Sequence, residues 1–168
     1  MLPASGLAAE DTVWAVVLDS LYVVERTRQL VVYDRTDSLA SIGTIPGIES
    51  ATVHDFWSRS RETRGVGPLP RTRVPVVFVD RATIASLPTG IDPNSSEMPF
   101  WRAFYERYPG SSGLISLSRV GFNAARTQAV LNVDRGCGGL CGNGVIVLLT
   151  RDAAGRWRVA ATRGTWVS

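Results

Sequence analysis

From Gly113 to Ser168 the chain shows strand-type alternation and no helical period. Four segments, Leu114–Phe122, Gln128–Asp134, Gly144–Thr150 and Trp157–Val167, are rich in β-branched and aromatic residues and follow one another at hairpin spacing. Their connections are short and carry turn residues: Asn123-Ala-Ala-Arg-Thr127, a glycine–cysteine loop, and Arg151-Asp-Ala-Ala-Gly155. Strands joined this way pair with their neighbours, so this part predicts an antiparallel meander. In Gly144–Thr150 apolar residues fill both alternating sets, which predicts a strand buried on both faces.

The helices come earlier. Val13, Trp14, Val17, Leu18 and Leu21 recur at helical spacing and predict a first helix over residues 10–24, with Glu10 and Asp11 at its positive end. Gln29–Thr36 reads as a strand. Ser50 is an N-cap for a second helix through Arg61 that turns Val53, Phe56 and Trp57 to the core. Val74–Asp80 is a short apolar strand, and Pro75 within it favours a sheet edge or a strand start. Ser95 or Ser96 caps a third helix with Pro99 in its first turn; Phe100, Trp101, Phe104, Tyr105 and Tyr108 give it an aromatic stripe that reads as core. The expected architecture is one α+β domain over residues 10–168: three helices packed on an antiparallel sheet with a four-stranded C-terminal meander, behind a flexible leader at residues 1–9. A chain of 168 residues buries enough surface for its own core.

All eighteen basic residues are arginine, and the formal net charge is +3. The arginines alternate with Asp and Glu and form no dense basic stripe with stacking aromatics, so no nucleic-acid partner is expected. No apolar run approaches the roughly 20 residues of a bilayer-spanning helix. The segment Gly6-Leu-Ala-Ala-Glu10 looks like the tail of a signal-peptide cleavage region, which points to an exported protein whose leader is missing or trimmed.

Two resemblances follow. The closing segment Leu148-Leu-Thr-Arg-Asp-Ala-Ala-Gly-Arg-Trp-Arg-Val159 resembles the last two strands of ketosteroid-isomerase-like α+β rolls. That implies a curved, roll-like sheet; the Asp, His or Tyr residues such enzymes use in their pockets match no position here. Tyr108-Pro-Gly-Ser, Leu117-Ser-Arg-Val-Gly-Phe122, the Cys-Gly-Gly-Leu-Cys-Gly loop and Trp166-Val-Ser168 together resemble uncharacterised exported bacterial proteins, a likeness that implies export and supplies no activity.

Both cysteines, Cys137 and Cys141, fall in a stretch where five of ten residues are glycine (Arg135–Gly144). Four readings stand. A disulfide needs the two Cα atoms within roughly 4.4–6.8 Å, so a turn must close the loop, and Gly138 and Gly139 permit one with positive φ. Alternatively the thiols are reduced and structural. A redox-active pair is a third reading, although such pairs favour a two-residue spacer at a helix N-terminus. A metal site is the fourth. The spacing superficially resembles the dicopper loop of cytochrome oxidase subunits, but Val145 and Leu148 stand where that loop has His and Met, and a zinc site would need carboxylates such as Asp134. No cofactor or metal is expected.

Other candidates are sparser. His54, the single histidine, lies one helical turn from Ser50 and Ser58, a nucleophile-and-base pattern or a polar helix face. Asp34, Asp37, Glu97, Glu106 and Asp134 could supply a carboxylate pair, and nothing in their spacing selects two. Arg59, Arg61, Arg64, Arg71, Arg73 and Arg81 crowd one stretch, with Arg64, Arg71 and Arg73 the candidates for anion binding. Arg119, among alternating apolar residues, is expected either on the solvent face or pinned by a carboxylate, with Ser116 and Ser118 turned the other way. The functional expectation is an exported binding or structural domain without catalysis. Its ligand, small and apolar or anionic, would seat between the third helix and the sheet at Trp101, Tyr105 and Arg119. A small-molecule enzyme using that same pocket is the alternative, and a thiol redox protein a second.

Overall fold

The computed structural model describes residues 4–38, 42–90 and 98–168, with the backbone alone at residues 4–8. The fold is α+β. Its described elements run α1 (Ala4–Tyr22), β1 (Gln29–Tyr33), α2 (Ser50–Arg59), β2 (Val76–Val79), α3 (Arg81–Ala85), α4 (Pro99–Arg107), β3 (Ser111–Leu117), β4 (Gly121–Phe122), β5 (Gln128–Gly138), β6 (Cys141–Arg151) and β7 (Trp157–Val167). The sheet follows the order β2-β1-β3-β5-β6-β7, with the short β4 pairing β5. It does not close into a barrel.

The sheet is mixed. β1 pairs in parallel with both β2 and β3, while β3, β5, β6 and β7 form the expected antiparallel meander. Alternation along the strands then makes two faces. On one, α1 packs Val13, Trp14, Val17, Leu18 and Tyr22 against Leu30, Val32, Ile115, Leu117, Leu131, Val133, Val147 and Leu149. On the other, α4 covers Val31 and Leu114 through Phe104 and Tyr108, while Phe56 of α2 packs with Ile45 against Val130, Ile146 and Leu148. Strand β6 is thus buried on both faces along its apolar half, as its sequence predicts.

Several boundaries differ from expectation. Residues 4–9, expected in a leader, already belong to α1, so Glu10 sits within the helix instead of at its positive end. Asp80 caps a five-residue helix, α3, by accepting the Thr83 N–H at 2.6 Å; so short a helix leaves no period to read. The predicted strand Leu114–Phe122 is interrupted between Leu117 and Gly121. Ser95 and Ser96 lie outside the described residues, and α4 begins at Pro99 after Met98. Gly121 lets α2 dock: a Cβ there would sit 2.5 Å from Phe56 Cβ.

Candidate functional site

The glycine–cysteine stretch is the turn end of the β5–β6 hairpin. Gly138 faces Cys141 across the ladder and Gly136 faces Gly142, so Cys137 is the extra residue of a β-bulge. Continued without a break, the register Arg135↔Asn143 and Gly136↔Gly142 would set Cys137 directly opposite Cys141, on one face of the hairpin. The bulge moves Cys137 out of that direct pairing without separating the two residues, which are bonded, with Cα atoms 5.0 Å apart. Neither Gly138 nor Gly139 adopts positive φ, contrary to the sequence expectation. Leu140 at the tip is 91% exposed.

Helix α4 stands beside this tip. Its aromatic stripe divides in two. Phe100, Phe104 and Tyr108, spaced by four, pack on the sheet core, whereas Trp101 and Tyr105 sit beside them and face the hairpin. Trp101 lies over Gly136, its ring 3.1 Å from where a Cβ would stand, and Met98 lies against Gly139. The Tyr105 hydroxyl donates to the Cys137 carbonyl at 2.8 Å and ties helix to bulge. Burial, partly offset by Arg135, raises the Tyr105 pKa. Between them opens a cleft of about 640 Å³, lined by Met98, Trp101, Arg102, Tyr105, Glu106, Gly138, Gly139 and Leu140. Its walls are mostly apolar, with Arg102 and Glu106 one helical turn apart.

Arg119 does not join this cleft. It lies in the break between β3 and β4, where Nε donates to Glu10 Oε1 at 3.0 Å and Nη1 to the carbonyls of Arg59 and Glu62. Glu10 is fully buried; it also pairs with Arg64 at 3.1 Å and accepts the Val120 N–H at 3.0 Å. The expected carboxylate partner of Arg119 thus exists, and it marks an internal crosslink between α1 and the sheet. Of the anion-binding candidates, Arg64 is held by Glu10 and Asp11 over the Trp14 ring. Arg73 donates from its backbone N–H to the Asp19 carboxylate and from its guanidinium to the Asp19 and Val23 carbonyls. Arg71 is exposed in the same loop.

His54 lies in a shallow depression with Ser50, Val53 and Trp57, and among the described residues no hydrogen bond joins it to Ser50 or Ser58. Glu97 lies outside the described residues. A polar row crosses the α4 side of the sheet between its two apolar clusters. Ser116 Oγ donates to Asp37 Oδ2 at 3.4 Å, Asp134 stands opposite Ser116 on β5, and Asn132 Nδ2 donates to Asp134 Oδ2 at 3.0 Å. Trp166 completes the row by donating from its indole nitrogen to Asp134 Oδ1 at 2.6 Å. Gly144 makes room for that contact, since a Cβ there would strike the indole nitrogen and the Asp134 carboxylate. Among the described residues no group of three or more His, Cys, Asp or Glu side chains could hold a metal ion.

Compared with protein-family models, with curated proteins and with solved structures, the chain matches none. No described helix is long and apolar enough to cross a membrane. Sequence reasoning located Trp101, Tyr105 and the cysteine loop. It missed Met98 and Leu140, whose exposure depends on how the tip meets α4, and Glu10, whose partners are more than fifty residues away.

Proposed function

We propose that the protein is a non-enzymatic exported binding domain, and that the cleft between α4 and the disulfide-clamped hairpin takes a small apolar ligand. One observation carries this reading. Leu140, 91% exposed, faces a cleft floored by Trp101 and walled by Met98 and Tyr105. A leucine kept in water on a covalently fixed turn is an unmet apolar contact. The volume falls within the range of about 300–1,000 Å³ typical of small-ligand sites. An apolar ligand is favoured over an anionic one because Arg64 and Arg73 are already engaged with Glu10, Asp11 and Asp19. Within the cleft Tyr105 already gives its hydroxyl to the Cys137 carbonyl, and Asp134, outside it, accepts from Trp166 and Asn132. The bonded cysteines suit an oxidising compartment, in keeping with the resemblance to exported proteins.

The test is titration with the neutral fluorophore N-phenyl-1-naphthylamine. Saturable binding with energy transfer from tryptophan is expected, weakened at least tenfold in Leu140→Ser. That substitution touches an exposed turn residue and leaves the core intact. Equal binding by the variant, or none by the native protein, overturns the proposal.

A further inference from the structure

Polar atoms buried in folded proteins are almost always hydrogen-bonded. On the α1 face of the sheet, at the end nearest the disulfide, three are not: Tyr22 Oη, Arg135 Nε and Asn143 Oδ1. They belong to one patch. Arg135 and Asn143 stand directly opposite each other on β5 and β6. The guanidinium carbon of Arg135 lies 5.5 Å from the centre of the Tyr22 ring. Alternation sends Asp134 and Gly136 to the other face, beneath Trp166 and Trp101, so Arg135 turns toward α1.

The chemistry of the three groups converges. A phenol O–H and a guanidinium fork both donate, and an amide turned by 180° presents its NH₂ in place of its oxygen. All three then complement an oxygen that carries negative charge, the kind of group for which an arginine fork is best shaped. Tyr22, 3% exposed, has its pKa pushed up to about 12 by burial and is a donor at every ordinary pH. Charge balance points the same way. Arg64 and Arg119, also partly buried, are each matched by Glu10, whereas no carboxylate among the described residues forms an ion pair with Arg135. The nearest in sequence, Asp134, is bonded to Trp166 and Asn132 on the opposite face. A water molecule would satisfy Tyr22 and Asn143 and leave the guanidinium without a counter-charge.

We propose that Tyr22, Arg135 and Asn143 form a binding site for an oxyanion, a carboxylate or a phosphate group, on the face of the sheet opposite the apolar cleft. Arg135 and Asn143 are only half-buried, so the group approaches from their side and reaches the Tyr22 hydroxyl last. The site stands independently of the cleft: neither its residues nor its chemistry are shared.

The experiment is thermal unfolding at pH 7 and constant ionic strength, with sodium chloride replaced stepwise by sodium acetate in one arm and sodium phosphate in the other. The native protein is expected to show a saturable rise in Tm with at least one salt, and the responding arm identifies the anion. In Tyr22→Phe and Arg135→Gln the saturable part should fall below half; only the non-saturating rise that excluded salts give any protein should remain. In chloride alone Tyr22→Phe should unfold no earlier than the native protein, because it removes a hydroxyl that has no partner. If both variants respond as the native protein does, the site does not exist. If Tyr22→Phe lowers Tm in chloride, a resident water or another partner already holds the hydroxyl, and the proposal fails equally.

Discussion

Glu10 shows how a single buried residue can order distant parts of this chain. Its carboxylate, wholly removed from solvent, accepts from Arg119, Arg64 and the Val120 N–H, and so ties α1 to the β3–β4 break and to the loop that carries Arg64. A buried ion pair replaced as a whole is often neutral, but removing one partner strands the other charge and typically costs about 3–5 kcal/mol. Glu10→Gln keeps the shape and removes the charge, leaving two guanidiniums facing a neutral amide. Urea unfolding of this variant should therefore show a loss near the lower end of that range, about 3 kcal/mol, with an unchanged m-value. A change below about 1 kcal/mol would place the pair among ordinary surface ion pairs. Trp166 is a second case. It lies along the glycines of β6 because Gly142 and Gly144 offer no side chain, and its indole N–H fixes Asp134. The glycines that read as loop residues in the sequence are, in part, a bed for this ring.

Among the elements, the β5–β6 hairpin unites the cysteines, the glycines and the cleft. The disulfide closes a very short loop, so its chain-entropy contribution is small, about 2 kcal/mol. The paired substitution Cys137→Ser/Cys141→Ser should lower stability by about that amount and leave the fold intact, since ten residue pairs of the β5–β6 ladder remain. Equilibrium unfolding with and without reductant checks this: reductant should destabilise the native protein and leave the double variant unmoved. How far each element was legible follows from where its determinants lie. The meander was legible because alternation and turn residues are local, and β7 matches its predicted bounds. The break after Leu117 was not, because it is made by Trp14 donating to the Ser118 carbonyl and by Glu10 accepting from Val120, both contacts across more than a hundred residues. The parallel pairing of β1 with β2 and β3 was hidden for the same reason: the connections that cross the sheet carry no signal of which strand they return to. Within the candidate site, Trp101 and Tyr105 were visible as an aromatic stripe. Their separation from Phe100 and Phe104 required knowing which side of α4 meets the sheet.

At the scale of the whole molecule, composition and fold together decide how the protein responds to alkali. The chain has no lysine, both cysteines are bonded, and arginine stays charged to pH values above 12. Tyrosine is therefore the side-chain type whose ordinary pKa falls between about pH 8 and 12. Burial raises the pKa of Tyr22, Tyr33 and Tyr105, with Arg135 and Arg81 pulling in the opposite direction. A group whose proton is held more tightly in the folded state contributes stability that is fully present below the unfolded pKa. That contribution declines once the unfolded chain begins to lose the proton, and is gone above the folded pKa. For Tyr22 the window runs from the ordinary 10.0 up to about 12, and a displacement of that size corresponds to roughly 2–3 kcal/mol. Stability should thus be flat from pH 8 to about 10 and fall steeply beyond it. Phenolate absorbance for Tyr22 should appear together with loss of the fold. Tyr22→Phe should shallow the alkaline limb without altering the plateau below it. Urea unfolding at pH 8, 10 and 11, read against ultraviolet titration of native and variant protein, measures both quantities. An identical alkaline limb in the two proteins would show that the α1 face of the sheet does not hold this phenol in its neutral form.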